Sequence, residues 1–582
     1  MGVRPLSLAI GVLLLPVIAA AQAIAVPQGT PVPGPPPARP QIPARDNSAI
    51  PTGTARIRGR VVSADTGTPL RRATVRVSAG EIRVNRSVNT DAEGKYELAD
   101  LPAGRYNIFV TRNGFVSLQF GQRRPFESGR PLDVGEAQTV EKIDFALPRG
   151  GVIAGRITDE LGEPLAGVRM QAMRHQYLPN GQRQLAPVMT VMFGGTVSND
   201  LGEFRLFGLM PGAYIVSATP SEVGGTMTMP GAAPSPSDSD GHGITYYPGT
   251  INADQAQPIT VALSEEAAVS FALVPSRMTR VSGIVRDSQG QPLPGVMLTI
   301  RSKIGYGMSM RGLPAVGSDG RFTISNIPPG EHWLEVMQRS DGGEAASVSI
   351  TAGDRDITDL VITTAPAATI RGSVTFESGG AKSDRPSRVA IYSPDVGGPQ
   401  LVRPYDPTQG TIDANGQFQI NGVAGRVLFQ AAGTGFGPPP LGWSIKSVTF
   451  NGADITDIPL DIAATGSVGG VEVVMTDKQT TLLGAVRNPS GAEVTDYTVV
   501  IFPDKLRDGA VSSRYTRVVR PDQQGRFQTR GLPPGDYFAA AVESLEQGAH
   551  WDPAFRKQIE PAAKRFRLTE GLTSTIELQL LP

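Results

Sequence analysis

Apolar and polar residues alternate in short runs along this 582-residue chain, and one pair of runs returns several times. In its first copy, Gly94-Lys-Tyr96-Glu-Leu98 places Tyr96 and Leu98 on one face of a strand. A turn containing Pro follows, and Tyr106 and Ile108 then alternate with polar residues on the returning run. The pattern predicts a β-hairpin with one apolar face, which a second sheet must cover.

The hairpin pattern recurs with fixed spacing. In the four complete copies, a second glycine comes ten residues after the first. The complete copies begin at Gly94, Gly202, Gly320 and Gly525, and a degenerate copy that lacks the Pro begins at Gly416. Asp91 opens the first copy, where its side chain can accept bonds from nearby amides while Gly94 takes the left-handed conformation that ends the turn.

A second element precedes each hairpin, a strand of apolar ends with a glycine at its centre. The central glycines are Gly59, Gly155, Gly283, Gly372 and Gly484. Each unit closes with an alternating run such as 143–147 or 576–580. Two elements that recur in one order five times predict an all-β chain, a tandem array of about five antiparallel, immunoglobulin-like (transthyretin-like) β-sandwich domains.

The repeats set the expected domain boundaries. Sandwich 1 is expected at residues 54–149, sandwich 2 at 150–276, sandwich 3 at 277–366, a degenerate sandwich 4 at 367–478 and sandwich 5 at 479–582. Sandwich 2 includes a Pro/Ser/Gly-rich insertion at 224–243, which is expected to be disordered. One short helix is predicted at 552–559, with Asp552 as its N-cap and Pro553 at its first position.

Three of the glycine-centred strands lead to a Pro-Leu step, at 69–70, 164–165 and 292–293. Together with the Asp-x-x-Gly-x-Tyr hairpin, this combination resembles the carboxypeptidase regulatory-like domain, a transthyretin-like sandwich related to starch-binding and collagen-adhesin B-type modules. The resemblance covers the chain after residue 54 and is poorest in the fourth unit. It implies a fold and an exported, ligand-binding or spacer role, and it implies no catalytic activity.

The amino terminus has the features of a secretory signal peptide at residues 1–23. Arg4 supplies the positive charge, residues 6–20 form a short apolar run, and Ala21-Gln-Ala23 offers a cleavage site, with cleavage after Ala21 or Ala25 as alternatives. An uncleaved anchor is the other interpretation. Residues 24–53 are rich in Pro and are expected to form an extended, disordered linker. No later run predicts a membrane span, so none is expected after signal cleavage.

Composition removes several classes of function. Lys+Arg and Asp+Glu balance at 54 each, so no net field directs the chain to nucleic acid, and no nucleic-acid partner is expected. The chain has no Cys, which excludes disulfides, thiolate metal sites, Cys nucleophiles and a lipid-modified amino-terminal Cys.

Two motifs are candidates for metal binding. His332-Trp-Leu-Glu335 matches the first half of a zinc carboxypeptidase motif. However, His332 occupies the position of Tyr106 in the hairpin, and residues three apart on a strand point to opposite faces, so a strand is favoured. Asp238-Ser-Asp240-Gly241 faintly resembles a calcium loop but lacks a closing Glu at the usual spacing. No cofactor, metal, cofactor-binding or catalytic residue is expected.

Tyr246, Tyr247, Trp443 and Trp551 are candidate sugar platforms, although packing between neighbouring sandwiches is the favoured interpretation. The first hypothesis is therefore an exported, non-enzymatic binding or scaffold protein with a polysaccharide or an envelope protein as partner. A mechanical spacer or adhesin stalk, and an accessory component of an envelope enzyme or transport complex, are the alternatives. The periplasm, the cell surface and the medium all remain open as destinations.

Overall fold

The computed structural model divides the chain into two units, residues 1–48 and 49–582. Every described residue lies in the second unit, so the predicted signal peptide and nearly all of the linker fall outside the described residues. The described ranges are 52–82, 84–179, 181–188, 196–220, 226–227, 240–302, 316–337, 343–378, 385–393, 409–432, 442–462, 467–510 and 514–581.

Large hydrophobic cores follow one another along the chain. We use their spans to define segment 1 (55–147), segment 2 (153–273), segment 3 (281–362), segment 4 (368–475) and segment 5 (482–578). Strands dominate each segment, and apolar side chains of alternate strand positions face the core between two sheets. The predicted all-β sandwich class is confirmed.

In segment 1, the first sheet contains Ala55–Ser63, Lys95–Leu101, Thr139–Val140 and Phe145–Leu147, and the second contains Thr74–Ala79, Val84–Asn89, Gly104–Thr111, Leu118–Gln119 and Leu132–Val134. In segment 2, the first sheet contains Gly151–Thr158, Glu203–Leu209, Glu266–Ala268 and Phe271–Ala272, and the second contains Arg169–Tyr177, Arg183–Pro187, Thr196–Val197, Gly212–Thr219, Thr245–Tyr246 and Ile259–Val261. Short 3-10 turns lie at Gly80–Ile82 and Ala253–Gln255.

In segment 3, the sheets are Thr226–Met227, Thr279–Arg286, Arg321–Ile327 and Ile357–Thr363, and Met297–Ser302, Gly330–Met337, Glu344–Ala352 and Ala365–Pro366. In segment 4, they are Ala368–Glu377, Gln417–Val423, Ser444–Phe450, Ala453–Asp454 and Ser467–Thr476, and Arg388–Tyr392, Gln409–Thr411, Gly425–Ala432 and Leu460–Ile462.

In segment 5, the strands are Thr481–Arg487, Glu493–Val494, Thr498–Pro503, Arg517–Val519, Arg526–Arg530, Gly535–Val542, Lys564–Leu568 and Thr573–Leu581. The last strand joins the two sheets, because it pairs with Thr481–Arg487 over most of its length and with Ala541 and Val542 at its end. Helix Pro553–Ile559 lies between 3-10 turns at Ala549–Trp551 and Glu560–Ala562. Its Asp552 cap accepts from the Ala554 amide, which confirms the predicted helix.

The two repeated sequence elements are partners in the sheet. In every segment, the central glycine of the first strand stands opposite the aromatic residue of the hairpin. The pairs are Gly59–Tyr96, Gly155–Phe204, Gly283–Phe322, Gly372–Phe418 and Gly484–Phe527. A glycine opposite an aromatic residue leaves room for the aromatic ring to lie over it. The glycine of the first strand and the aromatic residue of the hairpin therefore recur together because they pack against each other.

The central glycine also makes room for a third strand. A Cβ at Gly59 would lie 1.9 Å from the Ile143 carbonyl oxygen, and one at Gly155 would lie 1.8 Å from that of Val269. Gly283 and Gly372 show the same close approach to a carbonyl, at 2.0 Å and 2.1 Å. A side chain at this position would collide with the closing strand of the unit.

The hairpin turns form as the sequence predicts. The Asp91 carboxylate accepts from the amides of Glu93 and Lys95 at 3.0 Å and 2.7 Å, and Gly94 has φ of +73°. Asp413 and Asp522 accept from two amides in the same way. The turn chemistry that the Asp-x-x-Gly pattern indicates is confirmed.

Two features differ from expectation. The first strand of each segment runs antiparallel to the hairpin but parallel to the closing strand, as in Val61–Phe145, so the sheet that contains the first strand is mixed. The pairs in the second sheets of segments 1 to 4 are antiparallel, as expected. The alternation of apolar and polar residues predicts which face of the sheet a side chain lies on, but it does not predict whether the neighbouring strand is parallel or antiparallel. Part of the insertion at 224–243 is also ordered. Thr226–Met227 pairs with the strand at 321–327, and Asp240–His242 pairs with the strand at 275–277. Composition does not predict this, because it does not show which strands of the fold have an edge open for pairing.

Candidate functional site

His332 lies on a core strand, as the repeat register predicts. Its Nε2 is 2.8 Å from the carbonyl oxygen of Pro328, four residues upstream. The tyrosines at this position in three other segments donate to the carbonyl four residues upstream in the same way. These bonds are Tyr106–Pro102 at 2.6 Å, Tyr214–Met210 at 2.5 Å and Tyr537–Pro533 at 2.6 Å. His332 therefore replaces a tyrosine that ties a hairpin turn to its strand.

Glu335 takes no part in a site with His332. His332 alternates with the core residues Leu334 and Val336, whereas Glu335 is on the other face of the strand. The Glu335 carboxylate is 3.0 Å from Arg301 on the adjacent strand, and both side chains are at most one-tenth exposed. The zinc-like pair is thus divided between two faces, and its carboxylate is held by an arginine.

Of the four candidate aromatic residues, Trp443 is buried and the other three are partly buried. Trp443 is 4% exposed and packs against Phe376 in the core of segment 4, with ring centroids 5.3 Å apart. The expectation that it packs between neighbouring sandwiches is wrong, because Trp443 immediately precedes a strand whose alternation carries it inward. Tyr247 packs against Phe271 of its own segment, and its neighbour Tyr246 is partly buried.

Trp551 is partly buried, and its ring lies 4.5 Å from that of His550 at the entrance to the helix. Burial lowers the pKa of His550 to about 4, so this imidazole is neutral at ordinary pH. Of the calcium-like motif, Asp238 lies outside the described residues, and Asp240 belongs to a strand. Within the described ranges, no three His, Cys, Asp or Glu residues are placed to hold a metal.

The strongest polar cluster joins segment 1 to segment 5, a contact that sequence patterns do not indicate. The guanidinium of Arg520 pairs with the carboxylate of Glu127, with side chains 3% and 4% exposed. A second nitrogen of Arg520 lies 2.7 Å from Asp496, which also pairs with Arg123 at 2.8 Å. Glu127 in turn accepts from the backbone amides of Arg123 and Arg124, both at 3.2 Å. We call the contacts of residues 120–133 with segment 5 the clasp.

Backbone groups extend the clasp. Arg130 donates to the carbonyl oxygens of Pro521 and Asp522 in the turn of segment 5. Gln523 of the same turn donates to the carbonyl of Asp133 at 3.0 Å and accepts from its amide at 3.2 Å. These contacts depend on the backbone shape of the turn, so they fix the position of one segment on the other.

Phe126, in the same loop as the clasp residues, also contacts segment 2. Its ring lies 3.6 Å below the Arg174 guanidinium and packs edge-on against Tyr214, with centroids 6.5 Å apart. Arg174 also pairs with Glu546 of segment 5, and the Gln547 amide donates to the Phe126 carbonyl at 3.1 Å. One loop of segment 1 therefore touches both segments 2 and 5.

A second ionic cluster joins segments 4 and 5. Arg514 pairs through two nitrogens with Asp457, and the Tyr515 hydroxyl donates to the same carboxylate at 2.5 Å. Burial raises the pKa of Tyr515 to about 12, so the hydroxyl keeps its proton. Arg514 also donates to the Ile445 carbonyl at 2.9 Å. The cluster borders a cavity of about 30 Å³, which is large enough to hold a water molecule.

Neither cluster carries a sequence signal of its own. Residues 120–133 show no strand alternation, and their Arg and Glu side chains look like ordinary surface charge. The one available hint is the pair of bulky residues Phe120 and Phe126 in a segment rich in Gly and Pro, since such residues need a partner to cover them.

Comparison with a family model agrees with the repeats of segments 1 and 3. The model of the carboxypeptidase regulatory-like domain matches residues 56–148 and 280–365. Among solved structures, a Streptococcal ancillary pilin is 13% identical with a TM-score of 0.21, covering 53% of this chain and 98% of the pilin. The minor pilin GBS52 of Streptococcus agalactiae is 11% identical with a TM-score of 0.20, covering 38% and 95%.

The shaft pilin SpaA from Lactobacillus rhamnosus GG is 13% identical with a TM-score of 0.19, covering 39% of this chain and 98% of the pilin. No curated protein matches the sequence. Similarities to pilins at this level assign no function. The family matches coincide with the cores of segments 1 and 3. Both segments contain the Gly-centred strand, the Pro-Leu step and the hairpin, which segment 2 contains as well. Two regions of the chain, residues 56–148 and 280–365, are therefore similar to the carboxypeptidase regulatory-like domain, and they lie within a tandem array of β-sandwiches.

Proposed function

We propose that this chain is an exported, non-enzymatic scaffold of the cell envelope whose sandwiches are held in a fixed arrangement. The observation that carries the proposal is the buried pair between Glu127 of segment 1 and Arg520 of segment 5. A row of sandwiches that only separates two points needs contacts between consecutive units. Contacts between the first and the last unit serve instead to fix the position of surfaces relative to one another.

The state of the buried charges supports a non-enzymatic role. The buried carboxylates of Glu127, Glu335 and Asp457 each pair with an arginine. A general acid or base needs a proton that it can exchange with a substrate, whereas a buried carboxylate that is paired with an arginine stays ionised and has a structural role. The perturbed tyrosines fit the same picture, since burial keeps them protonated.

Export rests on the amino-terminal signal at residues 1–23. In the described part of the chain, no helix has the length and apolar character to span a membrane. We propose the periplasm, the cell surface or the medium as the destination, with an envelope protein as the partner.

Carbohydrate binding has weaker support, because Trp443 lies in a core and is not available for stacking on a sugar. A glycan and peptidoglycan screen on the mature protein from residue 24 tests this point. The scaffold proposal expects no binding that depends on Trp551, the remaining partly exposed tryptophan among the candidates. Binding that is lost in Trp551→Ala but kept in Trp443→Phe would make the protein a sugar-binding module.

Cross-linking tests the fixed arrangement. The chain has no native Cys, so Asp133→Cys with Gln523→Cys places two unique thiols on the two sides of the clasp. We expect a short bis-maleimide reagent to link them within one chain at high yield and at low protein concentration. Gln289→Cys with Gln523→Cys is the matched control. Equal yields for the two pairs would contradict the proposal, since the first pair would then have no preferred proximity.

A further inference from the structure

Two exposed leucines occupy the same end of segment 2. Leu161 is 83% exposed and Leu201 is 54% exposed, each at the tip of a tight turn. The turns are built alike, since Asp159 accepts from the Leu161 amide at 2.9 Å and Asn199 accepts from the Leu201 amide at 3.0 Å. Each leucine is followed by a glycine with positive φ, so the fold directs both side chains to the tips of their turns.

The two turns lie side by side. The Ile157 amide donates to the Gly202 carbonyl at 2.9 Å, and the Leu165 amide donates to the Ile157 carbonyl at 3.2 Å. The end of the first strand is thus bonded to both turns. Leu161 and Leu201 therefore stand on neighbouring turns at one end of segment 2, and we call this pair of exposed side chains the leucine tip.

The leucine tip is peculiar to segment 2. The residues that precede the corresponding turn glycines elsewhere are all polar, namely Thr66, Gln289 and Ser490 in the first turn, and Glu93, Asp319, Asn415 and Gln524 in the second. The turn of segment 3 has the same bonds, because Asp287 accepts from the amides of Gln289 and Gln291 at 2.9 Å and 2.8 Å. The turn geometry does not require leucine, and an exposed leucine pair costs solubility without adding to the fold.

The same end of another segment already serves as a docking surface within this chain. In segment 5, the turn of Asp522 and Gln523 receives Arg130 and Asp133 of segment 1. A turn end of this fold is thus able to bind a protein surface.

The charges around the leucine tip select its partner. Glu160, Glu163, Asp200 and Glu203 are all exposed on or beside the two turns, and Glu160 lies 2.8 Å from His242. Four carboxylates around an apolar centre oppose approach to the phosphates of a lipid surface and favour a surface with Lys or Arg. We propose that the leucine tip docks into an apolar cleft bordered by basic side chains on a partner protein of the envelope.

This inference rests on the scaffold function, for which it names a binding surface, but it involves segment 2 alone and not the clasp. A photo-reactive amino acid at position 161 or 201 of the full chain, expressed in the producing cells, tests it. The same amino acid at position 289 is the control, because it stands on the corresponding turn of segment 3. We expect one protein to be linked from 161 and 201 and not from 289, and to be identified by mass spectrometry.

Binding of that purified protein to the full chain then decides the matter. The double variant Leu161→Gln/Leu201→Asp adopts the turn residues of segment 3, so it is expected to fold with an unchanged melting temperature. It should bind at least about tenfold more weakly for each leucine lost, and binding to the native chain should weaken as salt rises. An equal affinity of the variant overturns the proposal.

The other occupants are also outcomes. Leucine-dependent binding to phosphatidylethanolamine or phosphatidylglycerol vesicles would assign the tip to a membrane and overturn the proposal. Links to a second copy of this chain, or no links specific to 161 and 201, would overturn it as well. In each of these cases, efficient cross-linking of the Asp133→Cys/Gln523→Cys double variant would show that the scaffold function stands without this surface.

Discussion

At the scale of single residues, the repeat depends on positions where only glycine fits. Gly59 lies between the Tyr96 ring and the Ile143 carbonyl, and the Tyr96 hydroxyl donates to that same carbonyl at 2.7 Å. The glycine, the aromatic residue and the closing strand thus form one contact that is repeated along the chain. The sequence marks all three members, but only the fold shows that the closing strand lies against the glycine.

Replacing the central glycine should destabilise its own segment. Gly59→Ala places a methyl group against backbone atoms that cannot withdraw, so we expect a loss of about 3 kcal/mol or more in the free energy of unfolding of segment 1. Gly80→Ala is the matched control, because a Cβ there meets nothing within 4 Å. Urea denaturation followed by hydrogen exchange of segment 1 measures both. Equal effects of the two substitutions would contradict this assignment.

His332 should make segment 3 sensitive to acid. Burial lowers its pKa below the ordinary 6.5, so the unfolded chain binds more protons than the folded chain as pH falls below that value. Stability from this group is therefore present above about pH 6.5 and is lost towards lower pH. His332→Tyr restores the residue of segments 1, 2 and 5. The variant should lose less stability than the native chain between pH 7 and pH 5, by thermal unfolding, and an identical pH profile would contradict this role.

At the scale of elements, the hairpins, the glycine-centred strands and helix Pro553–Ile559 follow from alternation, turn residues and capping. The parallel pairing of first and closing strands does not follow, because alternation is the same for either direction. The placement of Trp443 was also not predictable from its loop-like neighbours, since Gly and Pro nearby conceal the strand that begins at Ser444. The loop 120–133 has no period at all, and its structure depends on other segments.

That loop should lose its order when Phe126 is shortened. Phe126→Ala removes the ring that contacts Arg174 and Tyr214. We expect the free energy that favours the ordered loop over the open loop to fall by about 3 kcal/mol. The amides of Arg123, Arg124 and Gln547 should then exchange their hydrogens faster. Phe109→Ala, at a partly exposed phenylalanine of the same segment, should leave those rates unchanged. Similar exchange in the two variants would show that the ring does not hold the loop.

At the scale of the whole molecule, the clasp converts a row of sandwiches into an arrangement with a contact between its first and last members. The clasp contains a buried ion pair, Glu127–Arg520. Removing one partner leaves the other charge buried, so it destabilises the contact between segments 1 and 5 by more than the intact pair stabilises it. An extended stalk would require segments 1 and 5 to separate, which would expose Glu127 and Arg520 and break the bonds of Arg130 to segment 5.

Glu127→Ala should open the clasp without unfolding the sandwiches. It leaves Arg520 buried with Asp496 as its remaining carboxylate partner and the Thr498 hydroxyl as a further acceptor, at a cost of about 3 kcal/mol to the closed state. We expect unchanged circular dichroism and faster proteolysis within residues 120–133. Glu141→Ala, which removes an exposed carboxylate paired with Arg58, is the control and should do neither. Resistance of the Glu127 variant to proteolysis would indicate that the pair does not close the contact.

The distance between segments 1 and 5 in solution tests the clasp most directly. Spin labels on Glu136→Cys and Gln524→Cys, both at exposed positions of a chain without native Cys, report that distance by double electron–electron resonance. We predict a single narrow distribution at short distance in the native background, and a broad one extending to long distances after Glu127→Ala. A broad, long distribution in the native background, unchanged by Glu127→Ala, would contradict the fixed arrangement.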